Sequence, residues 1–131
     1  MAAQTQEALV AIHDGVRPLV SNVVILNSFE ISSKKGSAIA SVALKDSIRE
    51  VSEDRSQSVP RTAYRLIQTP QTFRLSEIWK AFEKVSDSPE ITDDASVYEK
   101  AGFEVTLIDG NYENIKITTP EDLKIAQAFL S

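Results

Sequence analysis

Short apolar runs alternate along the chain with stretches whose apolar residues recur at helical spacing. Residues 9–12 and 38–44 are short, mainly apolar runs, as expected for strands, and the first has the texture of a buried parallel strand. Between them, apolar positions follow Ser21 at helical spacing. This predicts a helix that is capped by Ser21 and ends near Gly36. The alternation of strands and helices predicts an α/β fold.

The same alternation resumes after residue 61. Thr119 and Pro120 are followed by two acidic residues, which is the pattern of an N-cap, a first helical residue and an acidic first turn, so a last helix begins here. The other predicted elements are a strand over 65–67, a turn over 68–71, a helix from its N-cap Ser76 through Val85, a short helix over 93–100 closed by Gly102, and strands over 103–108 and 112–118.

Residues 46–61 are polar and alternating, with few side chains suited to a core. They form either a protruding hairpin arm with its tip near 53–56 or a disordered loop. Ile48, Val51 and Val59 favour the arm, because branched apolar residues are typical of strands. An isolated two-stranded hairpin is marginally stable, so the arm is predicted to pack against its counterpart across a two-fold axis and make a homodimer.

Composition excludes several classes of function. A chain of 131 residues with 42% hydrophobic residues is one domain long, and its net charge of -5 argues against a nucleic-acid partner. With no cysteine and the single His13, neither a disulfide framework nor a multi-histidine metal cage is expected. There is no apolar run of about 20 residues, and residues 1–7 lack a signal-peptide core, so we predict a cytoplasmic protein without a membrane partner.

The segment His13-Asp14-Gly15-Val16-Arg17-Pro18 follows the first apolar run directly. Open α/β sheets bind ligands in the crevice at the carboxyl ends of their strands. Asp14 offers a carboxylate to a metal ion or hydroxyl group, and Arg17 offers a planar fork that fits phosphate. The alternative is that these two side chains pair with each other in an ordinary strand-to-helix turn.

Five segments together carry a resemblance to a known family. They are residues 13–18, 46–49, 68–71, 92–96 and 114–123, in the order and spacing of the 2-C-methyl-D-erythritol 4-phosphate cytidylyltransferases, and the resemblance runs from Leu9 to Leu130. It implies a Rossmann-like nucleotidyltransferase fold and transfer of CMP from CTP to methylerythritol phosphate, with release of pyrophosphate, in isoprenoid precursor biosynthesis. It also implies Mg²⁺ carried with CTP.

One feature of that family has no counterpart in the sequence. The family begins with a glycine-rich loop that holds the CTP triphosphate, whereas the four glycines here are dispersed: Gly15, Gly36, Gly102 and Gly110. About three βα units of roughly 30 residues each would precede Met1 in the family. Residues 1–131 therefore resemble a single partial domain, the C-terminal half of the enzyme, expected to be inactive alone. The alternative is a non-catalytic remnant for dimerisation or binding.

The resemblance implies roles for residues near the first strand and the arm. The aspartate matching Asp14 lies beside the substrate and the metal-bearing nucleotide, the arginine matching Arg17 helps to hold the acceptor, and Gly15 is predicted as a cofactor-binding residue. Ser47 stands where relatives usually have threonine and keeps the hydroxyl for substrate binding. Arg49 replaces a common lysine, which preserves charge but not shape.

Three further contacts to the acceptor are implied. Arg61 reaches from the arm of a neighbouring subunit to grip the acceptor phosphate, and Lys116 orients that phosphate; with Asp14, they are the predicted catalytic residues. Thr69 is a substrate-binding residue. The plainer alternatives are an exposed loop charge for Arg61, an outward strand lysine for Lys116 and turn chemistry for Thr69.

Asp93 and Asp94 are interpreted as first-turn acids that stabilise a helix N-terminus, and no metal ligand is predicted. In the family, this segment shapes the acceptor side of the pocket. Ala95-Ser96 followed by Glu99 favours methylerythritol phosphate over ribitol 5-phosphate as the acceptor. His13 is interpreted as a packing or hydrogen-bonding residue at the end of a strand.

Overall fold

The computed structural model describes residues 8–86 and 89–131, and its main sheet has four strands in the order β1-β5-β2-β6. A separate two-stranded sheet is formed by β3 and β4. The polar start of the chain, residues 1–7, lies outside the described residues. The elements are β1 (Leu9–Ile12), α1 (Asn22–Lys35), β2 (Ser37–Ala43), β3 (Ile48–Ser52), β4 (Arg55–Val59), a 3₁₀ turn (Arg61–Ala63), β5 (Arg65–Arg74), α2 (Leu75–Lys84), α3 (Asp94–Lys100), β6 (Leu107–Asp109) and α4 (Pro120–Leu130).

Helices cover both faces of the sheet because the residues of β2 alternate between two cores. Ile39 and Phe73 pack with side chains of α2 and α3, including the buried Tyr98. Ala38 and Ala40 belong to the opposite cluster, with Val24 of α1. Successive side chains of a strand point to opposite faces, so a run buried on both faces is apolar at nearly every position. The α/β fold and the strand predicted over 38–44 are confirmed.

Three helix starts have side-chain caps, and two of these caps, Ser21 and Thr119, are the ones that the sequence predicts. Ser21 Oγ accepts a hydrogen bond from the Val24 N–H at 3.2 Å, and α1 ends at Gly36, whose φ of 94° suits glycine. Thr119 Oγ1 accepts from the Asp122 N–H at 3.2 Å, while Asp122 Oδ2 accepts from the Thr119 N–H at 3.0 Å. Asp93 caps α3.

The central strand β5 corrects the prediction of a short strand over 65–67 followed by a turn. The strand runs from Arg65 to Arg74 without ending, and Thr69–Pro70 is a cis peptide within it. Ile39 pairs with Gln71 and Ser41 pairs with Ile67, so β5 has extra residues between these two pairs. The strand thus absorbs the proline, which has no N–H for the ladder, in a local irregularity.

β1 is antiparallel to β5, pairing Leu9 with Arg74 and Ile12 with Gln71, so the parallel arrangement suggested by its sequence is wrong. It is the end strand of the described sheet, and its residues are half-buried. A four-residue apolar run does not encode strand direction. α2 also begins earlier than predicted: Arg74, not Ser76, occupies the N-cap position, and the Leu75 N–H donates to Ala8 O at 2.9 Å.

Two predicted strands in the last third also differ from the structure: the first is shorter than predicted and the second is absent. The strand predicted over 103–108 is regular only as β6, because the Ser37 hydroxyl donates to Glu104 O and accepts from the Thr106 N–H in place of ladder bonds. Residues 112–118 form no strand. Asn114 is fully buried, and the Ile117 N–H donates to Val16 O at 2.9 Å. Here the backbone bends around a polar side chain, which the alternation of Ile115 and Ile117 does not reveal.

The polar segment forms the hairpin, with a two-residue turn at Glu53 and Asp54. Ile48 pairs with Val59 and Ser52 with Arg55, and almost every arm residue is exposed. The hairpin form is therefore confirmed over the disordered loop, while its role in dimerisation stays a prediction.

Candidate functional site

A polar cleft of about 390 Å³ lies where the loop after β1 meets the irregular part of β5. The loop before α3 and the segment before α4 complete its walls. Four separate parts of the chain therefore contribute side chains to one cleft. Those that carry charge or a hydroxyl group are Asp14, Arg17, Thr69, Thr92, Asp93, Asp94 and Lys116.

Asp14 and Arg17 form an ion pair on the wall of this cleft. Arg17 Nε donates to Asp14 Oδ2 at 3.0 Å, and Arg17 Nη1 donates to Asn114 O at 2.8 Å. The Arg17 side chain is only 12% exposed. The alternative raised by the sequence, mutual pairing, is thus what the structure shows. Both residues also line the cleft, so pairing fixes the guanidinium without removing it from the site.

Thr69 is held by two residues of the loop after β1. Its Oγ1 accepts from the Asp14 N–H at 3.0 Å and lies 2.9 Å from His13 Nδ1. His13 Nε2 lies 2.8 Å from Arg17 O, and a carbonyl can only accept, so Nε2 donates this hydrogen bond. The contacts of both ring nitrogens confirm His13 as a hydrogen-bonding residue that ties Thr69 to the loop after β1.

Acidic side chains crowd the α3 side of the cleft. Burial raises the pKa of Asp94, and the nearby charges of Asp93 and Asp14 raise it further. Asp93 has structural partners: its Oδ1 accepts from the Ser96 N–H at 2.9 Å, and its Oδ2 accepts from Gln71 Nε2 at 3.0 Å. Its capping role agrees with the sequence interpretation. Across residues 8–86 and 89–131, no group of three His, Asp or Glu side chains is placed to hold a metal ion.

The structure does not bring all predicted site residues together. Lys116 lies on the cleft, but Arg61 and Ser47 are exposed near the base of the arm, outside the cleft lining. Arg61 Nη1 donates to Lys45 O at 3.0 Å. Gly15 lies in the exposed turn after β1, and a Cβ added there would meet nothing within 4 Å, so packing does not require glycine. The cleft of one chain thus contains Asp14, Arg17, Thr69 and Lys116.

Sequence reasoning missed three buried amides around the cleft. Gln68, Gln71 and Asn114 are nearly or fully buried, and Gln71 accepts from the Ala95 N–H while donating to Asp93. Gln68 and Gln71 flank a threonine and proline that indicated a turn. Asn114 shares the parity of Lys116, so a regular strand would have exposed it. The sequence offered one signal, namely that these side chains are uncharged amides. An amide can be buried when its groups are hydrogen-bonded, so these positions were candidates for burial.

The fold and the cleft define an α/β protein with a polar cleft beside strand β5 and the loop after β1. A model of the family described as 2-C-methyl-D-erythritol 4-phosphate cytidylyltransferase matches residues 1–131, and the chain belongs to that family. Its relatives include the cytidylyltransferase of Phocaeicola vulgatus, 44% identical over 95% of this chain and 56% of the relative. That of Bacillus cytotoxicus is 42% identical over 92% and 54%, respectively. The chain thus spans about half the length of these relatives.

Solved structures agree with this assignment. The synthase of 4-diphosphocytidyl-2C-methyl-D-erythritol from Anaerococcus prevotii superposes with a TM-score of 0.83 at 35% identity, covering 93% of this chain and 58% of that one. The cytidylyltransferase of Thermus thermophilus gives 0.81 at 32% identity, covering 92% and 61%. The nucleotidyltransferase-like fold implied by the sequence is confirmed. Among the described residues, no helix is long and apolar enough to span a bilayer.

Proposed function

We propose that this chain forms the acceptor side of an enzyme that transfers CMP from CTP to 2-C-methyl-D-erythritol 4-phosphate and releases pyrophosphate. Family membership supports the reaction class and its place in isoprenoid precursor biosynthesis. The observation that carries the proposal is the cleft in which the loop after β1, the irregular part of β5 and the segment before α4 converge. The residue roles below belong to the same proposal.

The cleft supplies both kinds of group that a polyol phosphate needs. Arg17 and Lys116 place two positive charges on its walls, which suit a phosphate, while Asp14 and Thr69 offer oxygen acceptors to hydroxyl groups. In the reaction, an oxygen of the acceptor phosphate attacks the α-phosphorus of CTP as the bond to pyrophosphate breaks. Positioning and charge neutralisation provide most of the catalysis in phosphoryl transfer.

Arg61 completes the acceptor site from the arm of a neighbouring subunit in this proposal. Its place at the base of an exposed hairpin, outside the cleft of its own chain, supports a contact made in trans. Ser47 lies in the same exposed region and contributes its hydroxyl. The functional unit is then a homodimer. Its cytoplasmic location stays a prediction from the sequence.

The residues of this chain would supply one carboxylate, that of Asp14, to Mg²⁺ bound with CTP. Arg17 engages Asp14 Oδ2, and the same carboxylate, which belongs to a residue of the cleft lining, has a second oxygen, Oδ1. Mg²⁺ is commonly held by one or two carboxylates together with substrate phosphates, so one aspartate suffices when the nucleotide supplies the remaining oxygens. When bound, the ion neutralises phosphate charge. Gly15, beside Asp14, is proposed to lie on the nucleotide side.

Lys116→Ala tests the proposal in a full-length protein that carries this chain. Catalytic efficiency with CTP and methylerythritol phosphate, measured by pyrophosphate release, should fall by about 10²-fold or more, because a charge-assisted contact to phosphate is lost. Arg61→Ala should behave alike. Lys124→Ala, an exposed lysine of α4, is the matched control and should be nearly silent. Near-normal efficiency in both Lys116→Ala and Arg61→Ala would refute these assignments.

Binding without catalysis is a second candidate, because the charged and hydroxyl groups of the cleft suit an acceptor by themselves. The protein would bind methylerythritol phosphate through the same cleft and show no turnover in the full-length product. Ribitol 5-phosphate should be included as a competing acceptor. A clear preference for it would transfer the proposal to that substrate.

A further inference from the structure

Three amide residues are joined by hydrogen bonds at the cleft: the side chains of Asn114 and Gln68 bond to each other, and Gln68 bonds to the main-chain oxygen of Asn111. Asn111 joins the loop before α1, where its Oδ1 accepts from the Ser21 N–H at 3.3 Å and its Nδ2 donates to Leu19 O at 3.2 Å. Gln68 Nε2 donates to Asn111 O at 3.0 Å. Asn114 Nδ2 donates to Gln68 Oε1 at 3.1 Å and to Thr69 O at 2.8 Å. We call Asn111, Gln68 and Asn114 the amide chain.

Hydrogen-bond chemistry fixes the direction of this chain. Asn111 O is a carbonyl oxygen that can only accept, so Gln68 must present its NH₂ group there and its Oε1 to Asn114. Thr69 O is likewise an acceptor and also requires the Asn114 NH₂ group. Both amide orientations are therefore determined, and a carboxylate at either position would face an acceptor without a proton.

Two further observations show that packing is arranged around these bonds. A Cβ at Gly110 would approach Gln68 Oε1 to 2.3 Å and Ser41 N to 3.4 Å, so the missing side chain leaves the room that the Gln68 amide occupies. Asn114 is fully buried, yet among the described residues its Oδ1 has no hydrogen-bond partner. A buried acceptor without a partner destabilises the fold, so the favourable contribution of this side chain comes from the bonds that its NH₂ group donates.

The amide chain ends on the groups that line the cleft. Asn114 holds Thr69 through its side chain and Arg17 through its main-chain oxygen, and Lys116 follows two residues later. The Ile117 N–H donates to Val16 O, which joins the same segment to the Asp14 loop. One buried residue thus connects two cleft residues, Thr69 through its side chain and Arg17 through its main chain.

We propose that Asn114, oriented by Gln68 and Asn111, is a positioning residue that sets the spacing of Arg17, Thr69 and Lys116 for a polyol phosphate. The inference rests on the proposed function of the cleft and adds Asn114 and Asn111, which lie outside the cleft lining, and Gln68, which is part of it. Positioning of this kind affects recognition of the acceptor and leaves CTP binding unchanged, since none of the three groups is assigned to the nucleotide.

Asn114→Leu is the first test, since leucine is similar in size, uncharged and unable to donate a hydrogen bond. Titration calorimetry of the 131-residue chain with methylerythritol phosphate and with inorganic phosphate should show a loss of affinity of tenfold or more. Asn22→Leu, at an exposed asparagine in the first turn of α1, is the matched control and should bind like the wild type. In a full-length protein, the KM for methylerythritol phosphate should rise while the KM for CTP stays constant.

Ile78→Ala separates positioning from stability. Ile78 is buried in the core between α2 and the sheet and lies outside the cleft lining, so its truncation should lower the unfolding free energy without moving the cleft groups. Acceptor affinity, measured where both variants are folded, should stay like that of the wild type in Ile78→Ala and fall in Asn114→Leu. An equal loss of affinity in the two variants would overturn the inference, as would unchanged affinity in Asn114→Leu. If the wild-type chain binds neither probe, the proposed function of the cleft fails first.

Discussion

Asp94 illustrates, at the scale of one residue, a cost that the cleft imposes on folding. Its pKa is raised by burial and by two neighbouring carboxylates, so the folded state binds its proton more tightly than the unfolded chain does. Asp94 therefore favours the folded state at low pH. This contribution to stability is lost as the pH rises from 3.8, the ordinary pKa of the carboxyl, through its raised pKa in the folded state. At neutral pH the ionised carboxylate therefore opposes folding.

Asp94→Asn should remove this pH-dependent cost. We expect the difference in unfolding free energy between variant and wild type to shift in favour of the variant as pH rises from about 3 to 7, measured by urea denaturation at each pH. Asp54→Asn, at the exposed tip of the arm, serves as the control for removing a negative charge. A pH-independent difference for Asp94→Asn would show that crowding does not act on folding.

The cap of α4 provides a prediction at the scale of an element. Thr119 and Asp122 exchange two hydrogen bonds, and further bonds from Thr118 help to lower the pKa of the exposed Asp122 carboxyl. Thr119→Ala should reduce the unfolding free energy by about 1 kcal/mol, because the Asp122 N–H loses its acceptor. Thr119→Ser keeps the hydroxyl and should retain most of the unfolding free energy that Thr119→Ala loses. Equal losses in chemical denaturation would assign the effect to something other than the cap.

The arm gives a second prediction at this scale. Its strands bond to each other, and Val51 is 75% exposed, although apolar residues on a hairpin are stabilising only when something covers them. If two arms pack across a two-fold axis, Val51→Asp should weaken the dimer at least tenfold in sedimentation equilibrium. Val23→Asp is an exact match in chemistry and exposure, since Val23 on α1 is also 75% exposed. A wild-type chain that is monomeric at high micromolar concentration would refute the dimer.

Elements that begin at a capping residue could be predicted from the sequence. Elements whose bounds depend on pairing with distant strands could not. The starts of α1 and α4 are predictable from Ser21 and Thr119, because these side chains accept hydrogen bonds from backbone N–H groups in the first turn of the same helix. β5 could not be delimited, because its course past Pro70 depends on pairing with β1 and β2, which lie far away in sequence. The cleft divides likewise. Its charged residues follow from the motifs, whereas Asn114 is recognised only once its burial is known.

At the scale of the whole molecule, an apolar groove runs beside the end strand β1. Val10 and Ile12 line it with Trp79 and Phe82 of α2, which are 64% and 51% exposed. Such a surface favours self-association in water. Light scattering of the isolated chain should therefore show oligomers beyond any arm-mediated dimer, and Trp79→Lys with Phe82→Lys should reduce them. Unchanged association in that variant would place the contact elsewhere.

The positions of the glycines across the whole molecule bear on whether residues 1–131 suffice for catalysis. Triphosphate loops use backbone N–H groups at a helix N-terminus, and closely spaced glycines let the backbone approach the phosphates. Here, each glycine is engaged separately: Gly36 ends α1, Gly102 follows α3 with a φ of 102°, Gly110 makes room for Gln68, and Gly15 stands alone in an exposed turn. None of these positions forms a phosphate cradle with another glycine.

We therefore expect these 131 residues to bind methylerythritol phosphate or inorganic phosphate weakly and not to transfer CMP. Four residues proposed to bind the acceptor, Asp14, Arg17, Thr69 and Lys116, lie in one cleft of the chain, whereas residues 1–131 contain no glycine-rich loop of the kind proposed to hold CTP. The measurement is pyrophosphate release from CTP and methylerythritol phosphate, using material whose intact mass matches the chain. A full-length relative provides the positive control. Turnover comparable to that of the relative would mean that the nucleotide site lies within these residues, and would overturn the division of acceptor and nucleotide binding between two parts of the enzyme.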